Sequence, residues 1–373
     1  MSAFHLRLKT MIRLNFTLVF LVILNVSLAQ RPEFTLADFY RDSERLQQET
    51  DNVFNALNEE QRVAQMIIAS LGKLGKPYES VEPLIMQKKI GGIIFLSGDP
   101  EEFKAQIDGI IGMHTDWPML MSMDAEPSLL NRRMPGTPTM KPTAELESME
   151  EIEGAAKTID SILHHVGFQQ NFAPVVDLSP NNEAIGNRTF GMDQESVVPK
   201  AVTFIKQTQK DQIVATAKHF PGHGRVAGDT HKKLVYINGE LTEVGIYEPM
   251  IEAGVLSIMI GHIAIENNDK YNTHEMPSTL SKVVVTDLLR KEMGFDGIII
   301  TDAMNMGAVQ AIPNSGLKAA QAGCDMILMP PDELGTLTDI LMEMEQDPAF
   351  KAQIETSVKR IIRLKLCLGM HFN

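Results

Sequence analysis

The feature that most constrains the fold of this chain is a series of short apolar runs, each bounded by Gly, Pro or Asp. Between these runs lie segments whose apolar residues recur at helical intervals, and strands that alternate with helices predict parallel βαβ units. Eight units in about 300 residues match the size of a (β/α)8 TIM barrel, with a doubly wound open sheet as the alternative. The eight predicted strands are Met66–Ser70, Gly92–Leu96, Met119–Met123, Phe172–Leu178, Ile213–Lys218, Ser257–Gly261, Gly297–Thr301 and Met326–Met329.

The chain has 373 residues, of which 44% are hydrophobic and 22% charged, as expected for a globular protein. No linker or repeat marks a second domain, so residues 30–373 are predicted to form a single barrel domain. Residues 332–366 are expected to continue as its closing helix, with apolar residues at near-helical spacing and Lys359, Arg360, Arg363 and Lys365 on the remaining positions.

The first 29 residues have the pattern of a secretory signal peptide. Arg7, Lys9 and Arg13 precede the apolar run Phe16–Leu24, and Ser27-Leu28-Ala29 provides small residues for cleavage before Gln30. The run is shorter than the roughly 20 residues that span a bilayer, which disfavours the alternative of a stable membrane anchor. We therefore expect an exported protein, periplasmic or extracellular.

Charge and cysteine content narrow the class of protein further. The formal net charge of −14, with no basic block, argues against a nucleic-acid partner. Cys324 and Cys367 both lie in apolar surroundings, which favours two buried thiols over the alternative of one disulfide.

Polar residues follow seven of the eight predicted strands. A barrel gathers all its strand ends into one ring, so Asp124 and Asp302 are expected to share a cavity despite their separation in sequence. Asp177 could equally cap a turn or touch a ligand, and His262 could be a core histidine or part of the cavity wall. The residues at the strand ends are Ser70, Ser97, Asp124, Asp177, Lys218 with His219, His262 and Asp302.

The stretch Lys218–His231, which follows the fifth predicted strand, carries the densest chemistry. It contains three histidines, a lysine and an aspartate, while its glycines and Pro221 prevent a regular helix. Asp229 and His231 are at i and i+2 of an extended segment, so the carboxylate can orient the imidazole as a general acid and base. A metal site is the alternative, but Pro221 and Gly222 interrupt helical spacing between the histidines, so no metal is expected.

Asp302 directly follows the seventh predicted strand and no cysteine or serine nucleophile motif competes with it. A carboxylate fixed at a strand end suits attack on the anomeric carbon of a sugar.

These residues resemble the N-terminal barrel of glycoside hydrolase family 3, in particular its β-N-acetylglucosaminidase branch. The resemblance runs from about Leu57 to Leu368 and rests on Lys-His-Phe-Pro-Gly-His-Gly at 218–224, Asp-Thr-His at 229–231 and Thr301-Asp302. It implies Asp302 as nucleophile and His231, paired with Asp229, as acid/base. It also implies a set of sugar-binding residues, Asp124, Arg132, Arg188, Lys218 and His219.

The resemblance further implies a catalytic domain that needs no cofactor. The expected activity is that of a retaining exo-β-N-acetylglucosaminidase acting on terminal β-linked N-acetylglucosamine, with peptidoglycan fragments as the natural source. One departure from the family is Pro127-Ser128, where relatives carry glycine. The alternatives are a β-N-acetylglucosaminide phosphorylase, another β-glycosidase of the family, or a catalytically silent sugar-binding barrel.

Overall fold

The computed structural model describes residues 33–113, 115–178 and 182–372. The signal peptide predicted for residues 1–29 lies outside these ranges. Across the described ranges, no helix has both the length and the apolar character that crossing a bilayer requires.

Eight parallel strands form a nearly closed barrel, which confirms the predicted (β/α)8 fold over the open sheet. Neighbouring strands follow the order β10-β1-β2-β3-β4-β5-β7-β9. A bridge between Ile300 and Met326 brings the two ends of this order together, and the Thr301 amide donates to the Met326 carbonyl at 3.1 Å. The barrel strands are β1 Ile67–Leu71, β2 Gly92–Phe95, β3 Leu120–Met123, β4 Gln170–Asn171, β5 Val214–Phe220, β7 Ser257–Ile260, β9 Ile298–Thr301 and β10 Ile327–Leu328.

Two strands outside the barrel were not predicted from the sequence. β6, Val235–Asn238, pairs in parallel with β8, Ile263–Glu266. This small sheet joins the segment after β5 to the segment after β7 and so braces the loop that carries Asp229 and His231.

The fourth predicted strand is placed wrongly by the sequence. The regular strand is β4, just before the predicted Phe172–Leu178, and Pro174 then deprives the chain of an amide donor. The segment nevertheless stays beside β5, because the Thr216 amide donates to the Ala173 carbonyl at 2.8 Å and the Val176 amide to the Lys218 carbonyl at 2.8 Å.

Helices connect and surround the strands, and the segment Met149–Val166, whose apolar residues recur at helical intervals, forms a helix with those same ends. The predicted continuous helix over residues 332–366 is wrong, because Asp347 caps a second helix through the amides of Ala349 and Phe350, with Pro348 as its first residue. The helices are Glu44–Ala56, Glu59–Ala64, Tyr78–Met86, Pro100–Met113, Leu130–Arg133, Met149–Val166, Gln194–Lys210, Tyr247–Glu252, the π-helix Val283–Glu292, Ser315–Ala322, Glu333–Gln346 and Pro348–Cys367.

The last helix closes the end of the barrel opposite the strand ends that carry the polar residues. Lys365, predicted to lie among the polar positions of this helix, is instead fully buried. Its ammonium donates to Gln65 Oε1 at 2.6 Å and to the carbonyls of Gly91 and Pro118 at 2.7 and 2.8 Å. The core also contains Cys324 and Cys367 as free, buried thiols, as predicted.

Candidate active site

One cavity of about 380 Å³ opens at the carboxyl ends of the barrel strands. All eight side chains predicted to form a site line it, although they come from four different stretches of the chain. The structure thus brings together Asp124, Arg132, Arg188, Lys218, His219, Asp229, His231 and Asp302.

A network of alternating charges forms one wall of the cavity. The buried Lys218 ammonium lies 2.8 Å from both Asp124 Oδ1 and Glu126 Oε1. Arg188 binds both oxygens of Glu126, at 2.7 and 2.8 Å, in the paired geometry that a guanidinium allows. Burial alone would raise the pKa of Glu126, but Arg188 and Lys218 outweigh it and hold that pKa well below its usual range. These contacts fix Arg188 and Lys218 in place at the cavity wall.

The departure at Pro127-Ser128 has a structural role in this wall. Ser128 Oγ donates to the Asn187 carbonyl at 2.8 Å and accepts from the Thr143 amide at 2.8 Å. The serine therefore ties the loop after β3 to the residue that precedes Arg188.

His219 is held by a buried carboxylate beneath the cavity. Asp177 Oδ2 lies 2.7 Å from His219 Nδ1, and Asp177 Oδ1 accepts from the His223 amide at 2.7 Å. Because a carboxylate accepts, His219 carries its proton on Nδ1 and leaves Nε2 for a ligand. Burial acts against ionisation, yet His219 and His223 lower the pKa of Asp177. Asp177 thus does not line the cavity but orients a residue that does, and the turn that it was predicted to cap extends into residues 179–181, outside the described ranges.

Glu243 clamps the histidine-rich loop from below. Its carboxylate accepts from the amides of Leu178 at 2.7 Å, Gly224 at 3.3 Å and Arg225 at 2.9 Å. Burial, followed by the nearby Asp177, raises the pKa of Glu243 to about 7. Gly222, at φ +124°, passes so close that an added Cβ would lie 2.3 Å from Glu243 Cβ.

Asp302 projects from the end of β9 into the same cavity. Its Oδ1 accepts from the Ala303 amide at 2.8 Å, which fixes the carboxylate orientation. Burial opposes ionisation, but His262, His219 and His231 lower the pKa of Asp302 to about 2. Asp302 is therefore a carboxylate at neutral pH, the form that a nucleophile requires.

His262 lies buried behind Asp302 and is a core histidine with satisfied hydrogen bonds. Nε2 donates to the Ala303 carbonyl at 3.0 Å, so Nδ1 accepts from the Thr279 hydroxyl at 2.7 Å. Burial lowers the pKa of His262, whereas the neighbouring Asp302 carboxylate raises it. It supports the Asp302 loop and does not line the cavity.

Asp229 and His231 lie on an exposed loop above Asp302. Asp229 Oδ1 lies 2.7 Å from His231 Nδ1, so Nδ1 donates and Nε2 is left for proton transfer. Burial would raise the pKa of Asp229, but His231 and Lys232 lower it. The loop is docked on the segment after Asp302, where the Gly307 amide donates to the His231 carbonyl at 3.2 Å.

Two adjacent arginines follow β3 at the edge of the cavity. Arg132 and Arg133 both line the cavity, and Arg133 also places Nη2 3.5 Å from Asp124 Oδ2. Arg133, Glu126 and Glu243 were not among the site residues predicted from the sequence. Glu126 could have been found by its place two residues after Asp124 in a strand-end loop, while nothing local marks Glu243.

No three His, Cys, Asp or Glu side chains within the described ranges are arranged to hold a metal ion. The rings of His219 and His223, considered above as ligands, are directed to Asp177 and Thr230.

The sequence is similar to a known protein family and to individual members of it. Residues 58–364 match the model of the glycosyl hydrolase family 3 N-terminal domain. A β-hexosaminidase from Vibrio cholerae is 31% identical over 261 residues, covering 66% of this chain and 77% of that protein. A β-hexosaminidase from Glaesserella parasuis is 27% identical over 296 residues, covering 75% of this chain and 85% of that protein.

Solved structures show the same fold. A family 3 β-N-acetylglucosaminidase from Paenibacillus sp. superposes with a TM-score of 0.76 at 27% identity, covering 84% of this chain and 63% of that protein. A β-N-acetylhexosaminidase from Beutenbergia cavernae superposes with a TM-score of 0.74 at 24% identity, covering 82% and 97%. The chain is a glycoside hydrolase that belongs to family 3, within the branch of the β-N-acetylglucosaminidases.

Proposed function

We propose that this enzyme is a retaining exo-β-N-acetylglucosaminidase that uses Asp302 as nucleophile and His231 as acid/base. The observation that carries the proposal is the shared cavity, in which an ionised Asp302 and a His231 held by Asp229 face a wall of charged hydrogen-bonding groups. The cavity volume of about 380 Å³ is in the range of sites for small molecules and suits one terminal sugar.

The proposed reaction has two displacements at the anomeric carbon. His231 donates the proton on Nε2 to the glycosidic oxygen while Asp302 attacks C1, so the leaving group departs as an alcohol and a glycosyl ester forms. His231 then takes a proton from water as the water oxygen attacks C1, which breaks the ester and restores the Asp302 carboxylate. Two inversions give overall retention.

Terminal β-linked N-acetylglucosamine is the favoured donor because the named relatives are β-hexosaminidases and β-N-acetylglucosaminidases. Asp124, Arg188, Lys218 and His219 are proposed to hydrogen-bond its hydroxyl groups. We further propose peptidoglycan-derived fragments as the natural source and export of the enzyme, which the basic and apolar pattern of residues 1–29 supports.

Turnover of an aryl β-N-acetylglucosaminide tests the proposal. We expect release of N-acetylglucosamine with retained configuration, and loss of that release in Asp302→Ala. Saturable binding without turnover in the unmutated enzyme would instead indicate a silent sugar-binding barrel. Formation of sugar 1-phosphate when phosphate is added would indicate the phosphorylase alternative. That reaction is compatible with the site because a neutral imidazole does not repel an incoming phosphate anion, as a carboxylate would.

A further inference from the structure

The mouth of the cavity is divided by chemistry according to barrel strand. The charged wall comes from β5 and the loops after β3, β4 and β5, whereas the side chains contributed by β2, β10 and the loop after β1 are all apolar. The apolar group consists of Leu74, Ile94, Leu96, Leu328 and Met329.

Leu74 stands out in this group because 64% of it is exposed at the rim. A single exposed leucine is common on protein surfaces, but this one lines the cavity and its loop is held by its backbone. The Leu74 amide donates to the Leu96 carbonyl at 3.1 Å, and the Lys73 amide to the Ser97 carbonyl at 2.9 Å.

Two further contacts fix the same loop on either side of Leu74. Gly72, at φ +103°, approaches β2 so closely that a Cβ would lie 2.4 Å from the Leu96 carbonyl oxygen. The Lys76 ammonium lies 2.5 Å from Glu333 Oε2, which links the loop to the helix after β10. The fold therefore presents the Leu74 side chain to solvent at the cavity mouth in a defined position.

The positions of the catalytic groups indicate what reaches Leu74. With the sugar hydroxyls on the charged wall and C1 at Asp302 on β9, the leaving group points away from β3–β5. The remaining arc beyond β9 is β10 followed by β1. The His231 loop docks on Gly307, beside the cavity-lining Met306, so the proton donor borders that same arc.

We propose, resting on the proposed function, that Leu74 and Met329 form an apolar platform that binds the leaving group of the substrate. The preferred leaving group then presents an apolar face, either the C–H face of a second pyranose ring or an alkyl substituent. Its binding buries Leu74 and raises kcat/KM without changing the chemistry at C1.

Three glycosyl donors that share the N-acetylglucosaminyl group distinguish a pyranose leaving group from an alkyl one. These are N,N′-diacetylchitobiose, the cyclohexyl β-glycoside and N-acetylglucosaminyl fluoride, whose leaving group is too small to reach Leu74. For Leu74→Ala we expect kcat/KM to fall about five- to tenfold with the first two donors, in line with loss of apolar burial, and to stay within about twofold with the fluoride. Leu74→Met should restore most of the loss.

The matched control is Leu334→Ala, which removes a leucine that is 46% exposed and lies outside the cavity. This variant should behave as the unmutated enzyme with all three donors. A loss confined to the cyclohexyl glycoside would support the platform and assign it to alkyl substituents, whereas a loss with both donors would assign it to the pyranose face.

Equal losses with all three donors, or none with any, would overturn the platform while leaving the glycosidase activity in place. Failure of the unmutated enzyme to hydrolyse even the fluoride would instead count against the proposed function itself.

Discussion

At the scale of single residues, the orientation of the His231 imidazole depends on one hydrogen bond. More than half of the side chain is exposed, 64%, so packing does little to hold it. The 2.7 Å contact with Asp229 therefore keeps Nδ1 directed at the carboxylate and leaves Nε2 to exchange a proton with the substrate or with water.

Replacing His231 with Ala should consequently slow the enzyme in a way that depends on the leaving group. We expect kcat/KM for N,N′-diacetylchitobiose, whose leaving oxygen needs a proton, to fall about 10²- to 10⁴-fold, and the loss with N-acetylglucosaminyl fluoride to be far smaller. Steady-state kinetics with the two donors measure this. Equal losses with both donors would contradict the assignment of His231 as general acid.

The candidate site was largely readable from sequence at this scale, because each chemically active residue follows a strand or lies in one short loop. Asp302, Asp229 and His231 needed only the barrel prediction to be placed in one cavity. Glu243 could not be found this way, since its three backbone partners lie before and within the loop and only tertiary folding brings it beneath them.

At the scale of elements, the loop that carries His231 is positioned by contact with the loop that carries Asp302. The Gly307 and Ala308 amides donate to the carbonyls of His231 and Thr230. A Cβ on residue 307 would lie 2.8 Å from the Lys232 carbonyl oxygen and 2.9 Å from that of His231. These contacts hold the loop after β5 against the loop after β9, so that His231 and Asp302 keep a fixed relative position.

Gly307→Ala should push the two loops apart and so displace His231 from its position as general acid. We expect kcat with N,N′-diacetylchitobiose to fall about tenfold or more, with little change for the fluoride, since a small displacement of a catalytic group is costly. Gly245→Ala is the matched control, because a Cβ there meets nothing within 4 Å. An unchanged kcat in Gly307→Ala would show that the close approach does not position His231.

A buried carboxyl between two outer helices gives a second prediction at this scale. Asp160 lies on helix Met149–Val166, and neither of its oxygens makes a hydrogen bond of good geometry within the described ranges, although the Thr208 hydroxyl lies close by. Burial, followed by Asp211, raises the pKa of Asp160 to about 8. The folded chain therefore keeps this proton where the unfolded chain, with an ordinary aspartate pKa, has lost it.

The sign follows from linkage: stability contributed by this group is present at low pH and is lost as pH rises from about 4 to about 8. Asp160→Asn should remove that loss, so its gain in the free energy of unfolding should be about 1–3 kcal/mol larger at pH 8.5 than at pH 5. Denaturant titrations at both pH values measure the difference. The exposed Asp269→Asn serves as control, and a pH-independent effect of Asp160→Asn would count against the inference.

Some of the observed element boundaries could have been predicted from the sequence and others could not. Asp347-Pro348 carries a visible cap and helix-start signal, so the break between the last two helices could have been predicted. The short pair β6 and β8 could not, because neither Val235–Asn238 nor Ile263–Glu266 is stable without the other, and the two lie far apart in sequence.

At the scale of the whole molecule, the barrel has a working end and a closed end. Lys365 closes the second by donating to three acceptors from the segments that precede β1, β2 and β3. Alternation of strands and helices predicted the barrel itself, whereas burial of this lysine depends on how the last helix packs across its base.

Lys365→Met should therefore destabilise the fold while leaving the chemistry intact. Loss of three hydrogen bonds from the Lys365 amino group, with their acceptors left buried, should cost about 2–4 kcal/mol in the free energy of unfolding. Lys359→Met on the same helix, at a partly exposed ion pair, should cost less than about 1 kcal/mol. Equal costs for the two variants would show that the buried ammonium does not close the barrel.

The central claim is that Asp302 forms a covalent bond with the sugar, and trapping followed by mass spectrometry tests it most directly. The enzyme would be incubated with a fluorosugar donor that slows hydrolysis of the intermediate, digested and mapped. We predict a mass increase of one glycosyl group on the peptide that contains Asp302, and none in Asp302→Ala. An adduct on any other residue, or turnover that survives in Asp302→Ala, would contradict the account.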